Sequence, residues 1–263
     1  MSSNTERDAP ALTIHIDGVI AHLRLNRPEK RNAINIPVVE ALRRFFNDPP
    51  EGVRAVVLSG EGAHFSAGLD LSDMQGQDTA GAMFHSRLWH RAFAAIEGAD
   101  LPVVAVLRGA VIGGGLELAA CAHIRVAEPS TFYALPEGTR GLFVGGGGSV
   151  RIPRLIGVAR MTDMMLTGRT YGAADGAAIG LSQYTPGEGE GLALAVELAT
   201  RIAGNTRLTN YAIMHALPRI AEAQPAAGYV MEGAISAVTA SSPEAQQRLT
   251  DFLEKRAAKV RQG

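Results

Sequence analysis

Residues 107–148, "LRGAVIGGGLELAACAHIRVAEPSTFYALPEGTRGLFVGGGG", hold ten glycines and only three acids, Glu117, Glu128 and Glu137. Glycine at that density, set among Val, Ile, Leu and Ala, points to a fold in which backbones approach closely at tight turns between short buried elements. Two of the acids, Glu117 and Glu137, sit beside glycines in a stretch that otherwise reads as core. That placement asks for an explanation.

The rest of the chain sets the architecture. "VIAHLRL" alternates Val19, Ala21, Leu23 and Leu25 against Ile20, His22 and Arg24, the period of a strand with one buried face. "LTIHI" before it is expected to pair as a hairpin across Asp17-Gly18. Val38, Leu42 and Phe45, with Val39 and Phe46, have helical spacing, and "DPPEG" stops that helix. "AVVLSG", "VVAVLRG", "HIRVA" and "TFYAL" read as further short strands, with a helix over about 114–122 and mostly helix from about residue 160. Ser242 is placed to cap a final helix that begins at Pro243. Early alternation of strands and helices followed by a helical region defines the α/β class. The expected division is 1–203 as core and 204–263 as helical region. No literal repeat is visible.

Composition removes several classes of function. Hydrophobic residues make up 46% and charged residues 19%, with a formal charge of -1, so neither disorder nor a nucleic-acid-binding surface is indicated. "MSSNTERDAP" lacks the apolar core of a signal peptide. The apolar stretch over 101–122 is broken by Arg108 and Glu117, short of a membrane span. The single cysteine, Cys121, lies in an apolar helical pattern where burial is ordinary. The expectation is a cytoplasmic protein with no membrane or nucleic-acid partner.

The glycines at 113–115 follow a strand and open a helix, whose first N–H groups have no partner within the helix. Such a terminus can receive an anion or a developing oxyanion, although close helix packing explains the same residues. A second turn, "HFSAGLDL", also follows a buried strand and could aim a further N–H at the same point. Two such donors form an oxyanion hole, in which one donor typically supplies ~2.7–4 kcal/mol of transition-state stabilisation. Glu117 lies in the first turn of the helix, and Glu137 is expected at the end of a strand further on. Face to face in an apolar pocket, two glutamates can hold one water and divide acid and base roles. Taken singly, Glu117 is explained as a helix-dipole partner and Glu137 as a surface turn residue.

Other glycine motifs fail on detail. "GGGGSV" lacks the lysine of a P-loop, and after Gly113 and Gly115 the third position of a dinucleotide fingerprint is Leu118. His85 and His90, five residues apart, lack metal-ligand spacing, and no G-x-S-x-G motif is present. No metal is expected.

Four segments, "LNRPEKRNAIN", "HFSAGLDL", "GAVIGGGLELAACAHIRVA" and "PEGTRGLFVGGGGSVRIPRLIG", resemble in order the signatures of the enoyl-CoA hydratase/isomerase (crotonase) family. The resemblance implies a spiral of β-β-α units with C-terminal helices that form trimers, often paired into hexamers, and an acyl-CoA thioester substrate. No cofactor beyond coenzyme A is implied. It assigns the oxyanion N–H groups to Leu69 and Gly114. Glu117 is assigned to the water that adds at Cβ and Glu137 to the proton delivered to Cα, an assignment that the reverse or a sharing of roles would also fit. Hydration is favoured over isomerisation, which usually keeps one acid.

For coenzyme A the resemblance implies Lys30, Arg31 and Ala33 along pantetheine and adenosine, and Ala67, Asp70 and Leu71 beside adenine. Phe252 and Lys255 in the final helix would reach the nucleotide of a neighbouring subunit. Ser72, Arg108 and Val144 depart from the usual Lys, Asn and Pro. The run through "MTDMMLTG", with "SQY" and "LTNYAIMHALP", is similar to the methylthioacryloyl-CoA hydratase branch, which implies a thioether-bearing substrate and thioester hydrolysis after hydration. Some crotonase-like proteins are isomerases, and others bind RNA or act as silent scaffolds. The retained acids and turn glycines disfavour a silent scaffold, and a slightly acidic chain with only a short basic tail disfavours RNA binding.

Overall fold

A computed structural model describes residues 10–254 and Arg256. Strand β1 (Leu12–Asp17) and β2 (Ile20–Leu25) form an antiparallel hairpin with Asp17 opposite Ile20. The two loop residues are therefore Gly18 and Val19, one position later than the sequence pattern suggests. Gly18 has φ +55°, the left-handed geometry that tight hairpin turns demand.

The chain then runs through α1 (Ile36–Asn47), β3 (Ala55–Gly60), α2 (Thr79–Gly98), β4 (Val103–Leu107), β5 (Ala110–Ile112) and α3 (Gly114–Ala119). Next come β6 (Ile124–Ala127), β7 (Phe132–Ala134), α4 (Gly148–Ile156), α5 (Val158–Thr167), β8 (Tyr171–Gly172) and α6 (Ala173–Ile179). The helical remainder is α7 (Gly191–Ala203), α8 (Arg207–Tyr211), α9 (Leu217–Glu222), α10 (Pro225–Ala240) and α11 (Pro243–Leu253). Helix thus takes over at Gly148, earlier than expected, and the helix expected to reach Ala122 stops at Ala119.

The larger sheet has the order β1-β2-β3-β4-β6, parallel from β2 onward. Burial on both faces is why β3 and β4 read as near-continuous Ala, Val and Leu. The smaller sheet is β5-β7-β8. Two bridges extend it in spirit through unlabelled segments, Ser66 with Val111 and Ile34 with Leu69. Each circuit of the chain therefore places one strand in the larger sheet, then a shorter extended piece in a second layer, then a helix. This is the β-β-α spiral that the family resemblance implies, built with no repeat in the sequence.

Helices close the layers for local reasons. Asn35 caps α1 by accepting from the Val38 N–H at 3.2 Å, and Val38, Val39, Leu42, Phe45 and Phe46 bury one face as their spacing predicts. Asp78 caps α2, and Ser242 caps α11 through the Ala245 N–H. Contacts divide the chain into two compact units that meet between Arg201 and Ile202. The first holds both sheets. The second is helical and exposes Leu217, Tyr229, Val230, Leu249, Phe252 and Leu253. No helix among the described residues is long and apolar enough to cross a membrane.

Leu23, fully buried in β2, anchors the core of the first unit. Leu23→Ala is expected to lower unfolding free energy by about 2–5 kcal/mol. Chemical denaturation would read this as a lower midpoint at unchanged slope. A shift of less than about 0.5 kcal/mol would contradict the packing described.

Candidate active site

The two glycine-bearing turns meet. A Cβ built on Gly114 would lie 3.2 Å from the Leu69 nitrogen, and one built on Gly68 would lie 3.3 Å from the Gly114 nitrogen. The pairing of Leu69 with Ile34 explains the aim of its N–H. Ile34 donates to the Gly68 carbonyl and Asp70 donates to the Ile34 carbonyl, so the Leu69 N–H between them turns the other way. Among the described residues neither the Leu69 nor the Gly114 N–H has a hydrogen-bond acceptor. Gly68 holds φ +96°, and a Cβ there would meet the Ile112 carbonyl oxygen at 2.7 Å, so no other residue makes this turn.

Glu117 sits in the first turn of α3, only 3% exposed. Its Oε1 accepts two backbone hydrogen bonds, from Gly146 at 2.8 Å and Gly148 at 2.7 Å. The carboxylate is thus held at the start of α4 and is not spent on the dipole of its own helix. Burial pushes its pKa above the usual carboxylate value, against the pull of those two N–H groups. Neither of these bonds uses Oε2, which is left for a proton or a water.

Glu137 does not end a strand. It lies past β7 and leads into a short 3-10 turn at Gly138–Arg140, reached through Pro136, which ends the ladder. Its Oε1 lies 2.5 Å from where a Gly113 Cβ would be, which brings it against the turn that starts α3. Oε2 is buried without a partner among the described residues. Burial, reinforced by the charge of Glu117, raises its pKa from 4.5 to about 7.

Aromatic residues from α2 wall this centre. The Trp89 ring would contact a Cβ on Gly114 at 2.9 Å, and the Trp89 and Phe93 rings would both meet one on Gly146 at 3.1 Å. Their rings pack edge to face at 5.3 Å. The glycine run is braced from behind. The Arg151 guanidinium donates to the Gly146 carbonyl at 2.9 Å while gripping Glu97 of α2, and Ser86 donates to the Gly145 carbonyl at 2.7 Å. Trp89, Phe93, Arg151 and the role of Gly146 and Gly148 escape the sequence reading. The signal was present in "GGGG", whose failure as a phosphate loop left its N–H groups without an assigned acceptor.

The coenzyme A positions fall in adjoining segments. Ala67 donates to the Arg31 carbonyl at 2.9 Å, tying the turn at residues 28–33 to the turn at 64–70. Lys30 and Arg31 are exposed, Ala33 is half-buried, and Leu71 is exposed at the start of a 3-10 turn. Asp70 is committed elsewhere, pairing with Arg27 at 2.9 Å and binding the Ser72 hydroxyl and N–H, which hold its carboxyl below the usual range. Arg108 donates to the Gly60 carbonyl, and Val144 is buried. Phe252 is exposed on α11, whereas Lys255 lies outside the described residues. Cys121 is buried, as its pattern predicts, and burial pushes its thiol up. Among the described residues no cluster of three or more His, Cys, Asp or Glu could hold a metal.

Paired carboxylates beside two free backbone donors, in this spiral, define a class. Residues 15–263 match the family described as enoyl-CoA hydratase/isomerase, and the chain belongs to that family. A solved structure of a candidate enoyl-CoA hydratase from Rhodopseudomonas palustris is 54% identical, with TM-score 0.91 over 95% of this chain and 97% of that one. Enoyl-CoA hydratase EchA19 of Mycobacterium tuberculosis is 31% identical over 96% of this chain and 97% of its own length. A Thermobifida fusca relative solved in complex with acetoacetyl-CoA is 27% identical, with TM-score 0.80 over 88% and 94%. The chain spans only about a fifth of the fatty acid oxidation complex α subunits of Shewanella that it also matches, at 43% identity over 147 residues in one of them.

The raised pKa of Glu137 has a consequence for stability. The folded state binds its proton more tightly than the unfolded chain does, so this residue's contribution falls as pH rises from 4.5 to about 7. Glu137→Gln is therefore expected to gain stability over the wild type across that window and hold the gain above it. Thermal melts at pH 4 and pH 8 measure the difference; a variant equally destabilised at both would refute the assignment.

Proposed function

We propose that the protein is an enoyl-CoA hydratase that adds water across the 2,3 double bond of a short-chain acyl-CoA. The observation that carries this reading is the convergence of Glu117 and Glu137 on the turn whose Gly114 N–H stands unpaired beside that of Leu69. The thioester oxygen would accept from Leu69 and Gly114 and gain charge as the enolate develops. Glu117, its Oε1 fixed by the glycine run, would orient water with Oε2 and take a proton as oxygen bonds to Cβ. Glu137 would deliver a proton to Cα. A pKa of about 7 keeps much of the Glu137 population protonated near neutrality, which favours it as the acid.

Lys30, Arg31, Ala33, Ala67, Asp70 and Leu71 would line the coenzyme A site, with Phe252 and Lys255 contributed by a neighbouring subunit. The exposed apolar side chains of the helical unit, among them Leu217, Tyr229 and Val230, support a trimer or a hexamer. The finer substrate reading is methylthioacryloyl-CoA with thioester hydrolysis after hydration. It is supported by the sequence segments named above.

Glu117→Gln and Glu137→Gln are each expected to lower hydration by about 10²–10⁴-fold without unfolding. Loss of the conjugated thioester absorbance with crotonyl-CoA and methylthioacryloyl-CoA reports hydration, and a thiol reagent reports free coenzyme A. Near-normal rates in both variants would refute the water-holding roles. Gly114→Ala, whose new Cβ would press on Trp89 and the Leu69 nitrogen, is expected to lose at least about 10²-fold, as when an oxyanion donor is removed.

A further inference from the structure

Ser86, Trp89, Phe93 and Glu97 of α2 stand three or four residues apart, the spacing of one helix face. That face meets the glycine run at 145–148 and the helix it opens. The Trp89 and Phe93 rings would each touch a Cβ on Gly146 at 3.1 Å. At the two ends of the stripe sit polar groups that the proposed chemistry does not use. Ser86 Oγ donates to the Gly145 carbonyl at 2.7 Å. Glu97 takes the Arg151 guanidinium in a bidentate fork, at 2.7 Å from Nε and 2.5 Å from Nη2. The fork leaves Nη1 to donate to the Gly146 carbonyl at 2.9 Å. Only glycine fits beside it, since a Cβ on Gly147, whose φ is +95°, would run into that same nitrogen.

A peptide is a rigid plane, so a hydrogen bond at its carbonyl fixes the direction of the N–H at its other end. The peptide that carries the Gly145 carbonyl also carries the Gly146 N–H, which donates to Glu117 Oε1 at 2.8 Å. Hydroxyl, amide and carboxylate thus form two hydrogen bonds in line, and each polarises the other. The next carbonyl, that of Gly146, is held by Arg151, and the Gly148 N–H beyond it donates to the same Oε1 at 2.7 Å. Two carbonyls are tied to side chains on the outside while two N–H groups converge within. Glu117 needs them, because burial alone favours the protonated acid, and these donors and the charge of Arg151 oppose it. We infer that Ser86 and the Glu97-held Arg151 are positioning residues for Glu117: by fixing the carbonyls of Gly145 and Gly146 they aim two N–H groups at Oε1 and keep the carboxylate able to take a proton from water. The inference rests on the hydratase reading and deepens it, since a general base must be ionised to act.

Two readouts test this, one with substrate and one without. The acid limb of kcat/KM, with crotonyl-CoA or methylthioacryloyl-CoA, reports the pH at which the base of the free enzyme ionises. Infrared titration of the protonated-carboxyl band that vanishes in Glu117→Gln reports the same ionisation with no substrate present. Ser86→Ala is expected to move both midpoints upward by about half to one pH unit, and Ser86→Thr, which restores the hydroxyl, to return them. Arg151→Met is expected to move them by about one to two units. Calorimetric Kd for the unreactive butanoyl-CoA is expected to stay the same in each. Glu137, Cys121 one turn along α3, and His90, 3.4 Å from Ser86 Oγ with Arg87 beside it, are unaltered in every variant, so a displaced midpoint belongs to the donors on Glu117. Unmoved midpoints in Ser86→Ala and Arg151→Met would overturn the inference, and lower stability with unmoved midpoints would mark a merely structural brace. Should these variants fail to fold, Glu97→Gln, which loosens Arg151 from the surface, decides: a raised infrared midpoint supports the role and an unmoved one overturns it. A midpoint that moves as expected in a protein that hydrates neither thioester would strike the hydratase reading and leave the positioning role standing. Hydration that depends on Glu117 while the midpoints stay fixed would do the reverse.

Discussion

Two backbone N–H groups on one carboxylate oxygen, those of Gly146 and Gly148 on Glu117 Oε1, connect nearly every part of the site. They fix the start of α4 against the first turn of α3. They place an acid in the core, where an unpaired charge would be expelled or neutralised, and they leave its second oxygen unspent. Arg151 completes the arrangement from outside. By donating to the Gly146 carbonyl while held by Glu97, it braces the residue whose N–H faces Glu117, and Ser86, donating to the Gly145 carbonyl, holds the peptide that carries that N–H. A local ion pair half-exposed at the surface thereby bears on the geometry of a buried carboxylate.

Glycine is what permits the approach. A Cβ on Gly148 would stand 2.6 Å from Glu117 Cγ, and one on Gly115 would stand 2.6 Å from the Ser66 carbonyl oxygen. The first contact is set by the acid and the second by the packing of one spiral turn on the next. The ordinary explanation of the glycines, tight packing, and the functional one are thus both true at neighbouring positions. They cannot be separated by counting glycines.

Much of this was legible in the sequence, and for identifiable reasons. Period-two alternation and buried Val runs mark β2, β3 and β4 because each responds to one local requirement, a face or two faces turned from water. The pairing of Glu117 with Glu137 was readable as a possibility because both lie near the same glycines. The spiral itself was not, since its repeat is a repeat of path. In the second layer Ile34 pairs with Leu69 and Ser66 with Val111, two pairs that share neither residue type nor spacing. The sequence reading carries the strand on to Glu137 although Pro136, two residues past Ala134, marks where the ladder ends. Trp89 and Arg151 stayed hidden for a related reason: Trp89 packs on glycines far along the chain, and Arg151 is held in place by Glu97 of α2, and long-range contacts leave no local period.

The same centre shows why such a site is costly to maintain. Glu137 Oε2 at the turn of α3, and Gln77 Oε1, His85 Nε2 and Trp89 Nε1 at α2, are buried without a partner among the described residues. The surrounding core is otherwise closely packed, with Leu116, Leu118, Phe93 and Leu107 almost wholly buried. Stability supplied by that core is what allows several unsatisfied groups to stand in one place. Arg125 and Asn32, elsewhere in the core, show the commoner arrangement, in which the buried polar side chain is held by backbone carbonyls.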